Sequence, residues 1–339
     1  MANKRIYYAI QQVSIGNPPL PMHGIQSVGI STNFSLEQVF ELGQLEIYQN
    51  VEEVPEVEVT LNKVLDGYKL IYEAATENGT SLDAALVKSS DTLSGRQNAR
   101  ADVYLGIYQD TEESATGSIV DGVFCKGMYV SSISYTFPVD GNFTEDVTLV
   151  GNSKTWGANL TGAFTNNNDS PAANSVGRRQ FLDMDSCVFP QEVPGVDNNG
   201  KVVDNASTGD GWSAHFQNIT LSCDLGRESI NELGRFAPYH RYATFPVEVT
   251  SEFEVLSITG DGINATEEGF YGGTGQCDNR FNLINNAIKI VTCEGTTIDL
   301  GNKNKLTSVN YSGGDTGGGN VTVTYSYSTY NDFTVSSTH

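Results

Sequence analysis

Apolar and polar residues alternate along much of the chain, the period-two pattern of strands that bury one face. Gln26-Ser27-Val28-Gly29-Ile30-Ser31, Val57-Glu58-Val59-Thr60, the run from Asp102 to Tyr108 and the run from Val321 to Tyr327 all read this way. Helical spacing is confined to short stretches. Ser35-Leu36-Glu37-Gln38 has the form of a capping box, Leu36, Val39 and Phe40 follow at helical spacing, and Gly43 is a natural stop, which predicts a short helix over 35–43. Ser229-Ile230-Asn231-Glu232 repeats that form with Gly234 as the stop. Asp66-Gly67 predicts a turn into an amphipathic helix over 69–75, and Ser81 to Val87 is another helical candidate.

The two similar segments belong to a longer internal repeat. Gln26 to Ser31 matches Gln217 to Ser222 at an offset of 191. Glu41-Leu42-Gly43-Gln44 and Glu232-Leu233-Gly234-Arg235 share the offset, as do Pro55 and Pro246, each placed to open a strand. Val57-Glu58-Val59-Thr60 matches Val247-Glu248-Val249-Thr250 at 190. Ser132-Ile133-Ser134-Tyr135 matches Ser308-Val309-Asn310-Tyr311 at 176, and Val147 to Val150 matches Val321 to Thr324 at 174. A falling offset is what shortened loops in the second copy produce, and loops tolerate that cheaply. The expected organisation is a mainly β chain of two tandem sandwich or barrel domains, each with a short flanking helix. Copy one spans 1–155, a connecting region or inserted arm 156–210, and copy two 211–339. Turn-rich segments at Asn166 to Asp169 and Asp197-Asn198-Asn199-Gly200 fall in the connection, and Gly313 to Gly319 forms a hairpin tip.

Charge changes the picture more than composition does. With 41 acidic and 19 basic residues the formal net charge is −22, which argues against a general basic face for nucleic acid. Such charge serves solubility, or a surface past which DNA moves without sticking. Five cysteines at 125, 187, 223, 277 and 293, odd in number and widely spaced, argue against a disulfide scaffold and against a zinc site. No apolar run suits a signal peptide or a membrane span, so synthesis and folding in a cytoplasm are expected.

Candidate chemistry is sparse. His23, His215, His240 and His339 are scattered, and there is no Gly-x-Ser-x-Gly elbow. Gly151-Asn152-Ser153-Lys154-Thr155 lacks the first glycine of a phosphate loop. Asp197 and Asp261 sit in Asp/Asn/Gly loops that suit turns better than calcium. No catalytic residue, metal or cofactor is expected, and the chain reads as a non-enzyme. Arg235, His240 and Arg241 form a local basic cluster, suited to meeting the acidic surface of a neighbouring subunit.

The segment from Gly24 to Gly43, followed by Val57-Glu58-Val59-Thr60-Leu61-Asn62-Lys63-Val64-Leu65-Asp66-Gly67-Tyr68, resembles the tail tube proteins of tailed bacteriophages. Glu232-Leu233-Gly234-Arg235 with Phe245-Pro246-Val247-Glu248-Val249-Thr250 is similar. The resemblance implies a virion protein that closes into rings, here a trimer with pseudo-six-fold symmetry because each chain carries two units. The rings stack into a negatively charged conduit for DNA and contact other tail proteins, with no membrane insertion. Glu41, Gly43, Pro55, Glu232, Gly234 and Pro246 are its landmarks in this chain. Rival expectations are another ring-forming component (tail terminator, baseplate hub or capsid decoration) or a carbohydrate-binding sandwich using Tyr325, Tyr327 and Tyr330.

Overall fold

A computed structural model describes residues 5–338 except 78–87, 110, 112–113, 116–118, 158–159, 161–162, 165–170, 174, 204–212, 258–282 and 314–318. The chain is mainly β and antiparallel. Its strands are β1 (Gln11–Ile15), β2 (Leu20–Pro21), β3 (Ile25–Asn33), β4 (Leu36–Phe40), β5 (Ile47–Glu52), β6 (Glu56–Val64), β7 (Ala101–Ile107), β8 (Asp121–Pro138), β9 (Thr144–Gly151) and β10 (Ser153–Trp156). They continue as β11 (Phe216–Asp224), β12 (Glu228–Ile230), β13 (His240–Tyr242), β14 (Glu248–Leu256), β15 (Lys289–Val291), β16 (Thr297–Asp299), β17 (Lys305–Ser312), β18 (Thr322–Tyr330) and β19 (Thr334–Ser336). Among the described residues two short helices, α1 (Ile71–Glu77) and α2 (Leu93–Arg96), lie between β6 and β7.

The long strand β8 organises the molecule. Its first half pairs with β7 and β10, and β7 leads on to β1 and β2. Its second half joins a sheet in the order β3-β6-β9-β8-β11-β14-β18-β17, all antiparallel. That order contains one four-strand unit twice: β3-β6-β9-β8, then β11-β14-β18-β17. Burial agrees in the inner strands, β6 with β14 and β9 with β18. β6 and β14, nine residues each, align from Glu56 and from Glu248 with the same pattern of exposed and buried positions, an offset of 192. Pairing then sets β3 over β11 at 191, β9 over β18 at 178 and β8 over β17 at 176. Even the bulges coincide: β8 slips against β9 between Val130 and Ser132, and β17 slips against β18 between Leu306 and Ser308.

One apolar core underlies both halves, from Val59, Leu61 and Leu149 through Ile133 and Tyr135 to Leu221, Phe253 and Tyr325. Part of the 156–210 segment adds Cys187, Phe189, Val193 and Val202 to it, and bridges Val188 to Lys289 beside the small sheet β15-β16-β19.

The turn at Asp66-Gly67 and the helix after it form as the sequence predicts, with Gly67 at φ +85. The Asp66 carboxylate accepts hydrogen bonds from the Tyr68 amide and the buried Lys63 ammonium. The helices expected over 35–43 and at Ser229 do not form. Leu36 to Phe40 is strand β4, hairpinned to β5, and Glu228 to Ile230 is strand β12, hairpinned to β13. Val39, Phe40, Ile47, Tyr48 and Val51 favour extended backbone once a partner strand is present, and that partner lies beyond the local window. The Glu-Leu-Gly segments are the hairpin turns. Gln44 donates its amide to Glu41 and Arg235 donates to Glu232, both at 3.2 Å, with Gly43 at φ +99 and Gly234 at φ +85. Positive φ at the third turn position is where glycine costs least. The flanking helix of copy one is therefore α1, and copy two has none among the described residues. The Ser81–Val87 candidate, Asn166 to Asp169, Asp261 and His339 lie outside the described residues.

Candidate assembly surfaces

Three surfaces stand out, and the first is the face of the eight-strand sheet turned away from the core. Cross-strand register brings to it Ser31, Ser134, Thr136, Thr220, Ser222, Thr250 and Ser326, with Glu56, Glu58, Asp146, Asp224, Glu248, Glu252 and Glu254. Against these carboxylates stands Lys305, whose ammonium is held by the Leu283 carbonyl. Small polar side chains hold one another across strands, as in Ser222 with Thr250 at 2.6 Å and Asn62 with Asp146 at 2.7 Å. The face is polar and acidic and runs through both halves, with the β12–β13 hairpin resting on it at Glu56 and Tyr129.

The second surface is the pair of sheet edges. β3 and β17 each have one β partner in this sheet, so each presents an unpaired row of backbone donors and acceptors. On their core sides Ile30 and Val309 are half-buried and Tyr311 is 55% exposed. Their counterparts at the internal junction, Leu221, Ile133 and Tyr135, are buried. That junction, β8 with β11, pairs Ile133 with Cys223, Ser134 with Ser222 and Tyr135 with Leu221.

Third are the hairpins. In β4–β5 nearly every side chain is exposed, including Leu36, Phe40 and Tyr48, and Leu42 and Leu45 at the turn are fully so. In β12–β13 the turn is equally bare at Leu233, but the base is anchored on the first half of the chain. Arg241 is 7% exposed; its guanidinium lies 2.9 Å from Glu56 and donates to Asn152 Oδ1. His240 bonds the Tyr129 hydroxyl at 3.0 Å and Asn98 at 3.2 Å, and burial, reinforced by Arg227 and Arg100, lowers its pKa. Arg227 donates to the Val130 and Gln97 carbonyls.

The sequence-derived residues thus separate. Glu41, Gly43, Glu232 and Gly234 form the two hairpin turns. Pro55 and Pro246 precede β6 and β14, and the Pro55 carbonyl accepts from Asn152 at 2.9 Å. Of the basic cluster, His240 and Arg241 are engaged inside the chain, whereas Arg235 sits at the exposed turn beside Glu232 at 3.4 Å. The anchor partners Asn98, Tyr129 and Asn152 carried no signal in the sequence, because nothing local says that a hairpin from residue 240 returns to them.

Chemistry of other kinds finds little support. Among the described residues no group of three His, Cys, Asp or Glu is placed to hold a metal ion. His23 stacks on Tyr68 at 3.9 Å. The Asp197 carboxylate closes its own turn on the amides of Asn199 and Lys201, both at 2.8 Å. Tyr325 and Tyr327 are 1% exposed and packed in the core, Tyr327 against Phe253, so they cannot line a sugar groove. Cys125, Cys187 and Cys223 are free and buried, and burial pushes their thiols up to about 11, 12 and 12. No helix among the described residues is long and apolar enough to cross a membrane.

Structural comparison matches the chain to the cap of the anti-feeding prophage, described as its tube-terminating cap, with a TM-score of 0.33 and 13% identity over 46% of this chain and 93% of that one. It also matches the sheath/tube terminator of the extracellular contractile injection system PVC in its extended state, with a TM-score of 0.31 and 14% identity over 47% of this chain and 100% of that one. No protein-family model and no curated protein matches.

Proposed function

We propose that this protein is a structural subunit, without a catalytic centre, that closes into rings by pairing β17 of one copy with β3 of the next. The observation that carries the reading is the internal junction. A unit beginning with β3 ends with β8, and β8 pairs with β11, the first strand of the second unit. The second unit ends with β17, the counterpart of β8, and the next copy offers β3, the counterpart of β11. Strand directions alternate through the sheet, so β17 and β3 meet antiparallel. Carrying the β8·β11 register across sets Asn310 opposite Ser31, Val309 opposite Thr32 and Tyr311 opposite Ile30. The contact is head-to-tail, the kind that closes into a ring.

Three copies give six units around the ring, the pseudo-six-fold trimer. The acidic face then lines the lumen, where carboxylates repel DNA phosphates and small hydroxyls offer no base-specific grip. In this reading stacked rings form the conduit of a phage tail tube, the partners are further copies and other tail proteins, and the protein belongs to the virion tail after synthesis in the host cytoplasm. A ring that closes and does not stack is the terminator form of the same architecture.

The test uses Ser31→Cys with Asn310→Cys, in a chain whose Cys277 and Cys293 are changed to Ser. Directly opposed antiparallel residues have Cα atoms about 4.5–5.5 Å apart, within disulfide reach. Mild oxidation is expected to link chains into closed trimers, seen by mass in solution and as rings in electron micrographs. A monomer that never crosslinks at any concentration sinks the proposal; rings that close but do not stack select the terminator form.

A further inference from the structure

The two hairpins are built alike but treated differently. Every β12·β13 pair has its counterpart in β4·β5 at an offset of 191: Glu228 with Tyr242 maps on Glu37 with Val51, Ser229 with Arg241 on Gln38 with Asn50, and Ile230 with His240 on Val39 with Gln49. Yet β12–β13 is anchored across the internal junction on Glu56, Tyr129 and Asn152, while the side chains of β4–β5 are exposed, with none buried against the described residues of its own chain.

We propose that the β4–β5 hairpin is a clasp that folds over the second half of a neighbouring copy, repeating between chains the anchor that β12–β13 makes within one. The clasp rests on the ring reading above. The counterparts of the anchor residues name its landing site. Glu56 corresponds to Glu248, Tyr129 to Lys305, and Asn152, just past the end of β9, to Tyr330 at the end of β18. Asn50 therefore comes to rest beside Glu248 and Tyr330 of the preceding copy, whose β17 pairs with its β3, and Gln49 beside that copy's Lys305.

Two further features of the chain fit this occupant. Residues 34–54 contain Glu37, Glu41, Glu46, Glu52 and Glu53 and no lysine or arginine. In a chain of net charge −22, the landing site is one of the few places with clustered cations, Lys303 and Lys305 at the start of β17. Complementary charge fixes orientation and excludes the many acidic surfaces that the hairpin would otherwise meet. Tyr330, 53% exposed, and Leu36, Phe40 and Tyr48 on the hairpin are large apolar groups left in water in the single chain. Contiguous exposure of that kind marks an interaction surface.

Two measurements test the clasp separately from the ring. In the chain lacking Cys277 and Cys293, Asn50→Cys with Tyr330→Cys is expected to form a disulfide between chains, and only in preparations where Ser31→Cys with Asn310→Cys also does. The triple variant L36S/F40S/Y48S is expected to melt like the parent as a monomer, since those side chains are already exposed, while its rings fall apart on dilution. If the Ser31–Asn310 link forms and the Asn50–Tyr330 link does not, the ring stands and the clasp is wrong. If the triple variant's rings persist at parental dilution, the clasp is likewise overturned. Absence of both links refutes the ring reading and the clasp together.

Discussion

Tyr311 offers the cleanest separation of assembly from folding. It is 55% exposed on the edge strand β17, whereas its counterpart Tyr135, at the internal junction, is fully buried. Taking about 200 Å² for a tyrosine side chain, closing the β17·β3 junction removes roughly 110 Å² from water, worth about 2.8 kcal/mol at 25 cal/mol/Å². Tyr311→Ser forfeits this at every junction. A closed trimer has three, so the ring loses about 8 kcal/mol, and the concentration of half-assembly rises with the square root of the lost association constant, roughly a thousandfold. The monomer loses little, because exposed positions away from caps and cores stay within about 0.5 kcal/mol on substitution. The assay is sedimentation velocity over a dilution series, with the melting temperature read in parallel on dilute monomer. A half-assembly concentration unchanged from the parent refutes the junction. A large drop in monomer melting temperature refutes the equivalence of Tyr311 with an edge position. Tyr135→Ser, by contrast, is expected to unfold the chain.

Other expectations follow from the core and the hairpins. Glu145 is buried and accepts from the Ile71 and Tyr72 amides, which open α1, and from the Tyr135 hydroxyl, so Glu145→Ala orphans three donors and should cost on the order of 4 kcal/mol in urea melts. Burial also pushes the Glu145 carboxyl from 4.5 to about 7, against the pull of those hydrogen bonds and of Lys63. Its proton is thus held more tightly folded than unfolded: the contribution is complete below pH 4.5 and is lost as pH rises through 7. Wild-type melting temperature should fall between those values along a slope that Glu145→Gln lacks; parallel profiles would falsify this. Gly43→Val and Gly234→Val meet no atom within 4 Å, so their cost is backbone strain alone, about 1–2 kcal/mol per site, read as weaker rings around an intact fold. Among the described cysteines, exposed Cys293 should be alkylated within minutes, while Cys125, Cys187 and Cys223 should react only on unfolding; rapid labelling of all four would contradict their burial.

The strands were legible because alternation is a local property, and the repeat because its landmarks are. What the sequence could not resolve was register. The match of Val57 to Val247 at 190 lies two residues from the structural offset of 192, and the match of Val147 to Val321 at 174 lies four from the structural 178. A slip of two or four residues keeps every side chain on the same face, so alternation is blind to it. Gln26 to Ser31 with Gln217 to Ser222 at 191, and Ser132 with Ser308 at 176, came out in the structural register, each beside a bulge in both copies. The hairpins were misread for a different reason. Ser35 with Gln38 and Ser229 with Glu232 satisfy the capping-box form, but what decides the conformation is a partner strand ten or more residues away. The acidic face was invisible as a face, since its carboxylates come from four strands, β6, β9, β11 and β14, and meet only through pairing across the sheet.

In the proposed ring, the covalent link between the two four-strand units accounts for the difference between the hairpins and between the junctions. Within one chain the β8·β11 junction forms during folding at high effective concentration, and the folded chain buries Arg241 against Glu56 and Asn152. In the proposed ring the junction between chains must wait. Until it forms, β3, β17 and the β4–β5 hairpin are exposed, and each carries a safeguard suited to that interval. β3 and β17 are interrupted by bulges at Ile25/Ser27 and Leu306/Ser308, which twist an edge away from indiscriminate pairing. The hairpin sets five glutamates among its apolar side chains, and at the position of Arg241 it has Asn50. An arginine at position 50 should therefore strengthen the ring, by supplying Glu248 of the preceding copy with the partner that Glu56 already has. Asn50→Arg is expected to lower the half-assembly concentration and to slow ring dissociation in salt-dependent fashion, with Glu248→Gln cancelling the gain. A gain that survives Glu248→Gln would mean that the hairpin lands elsewhere.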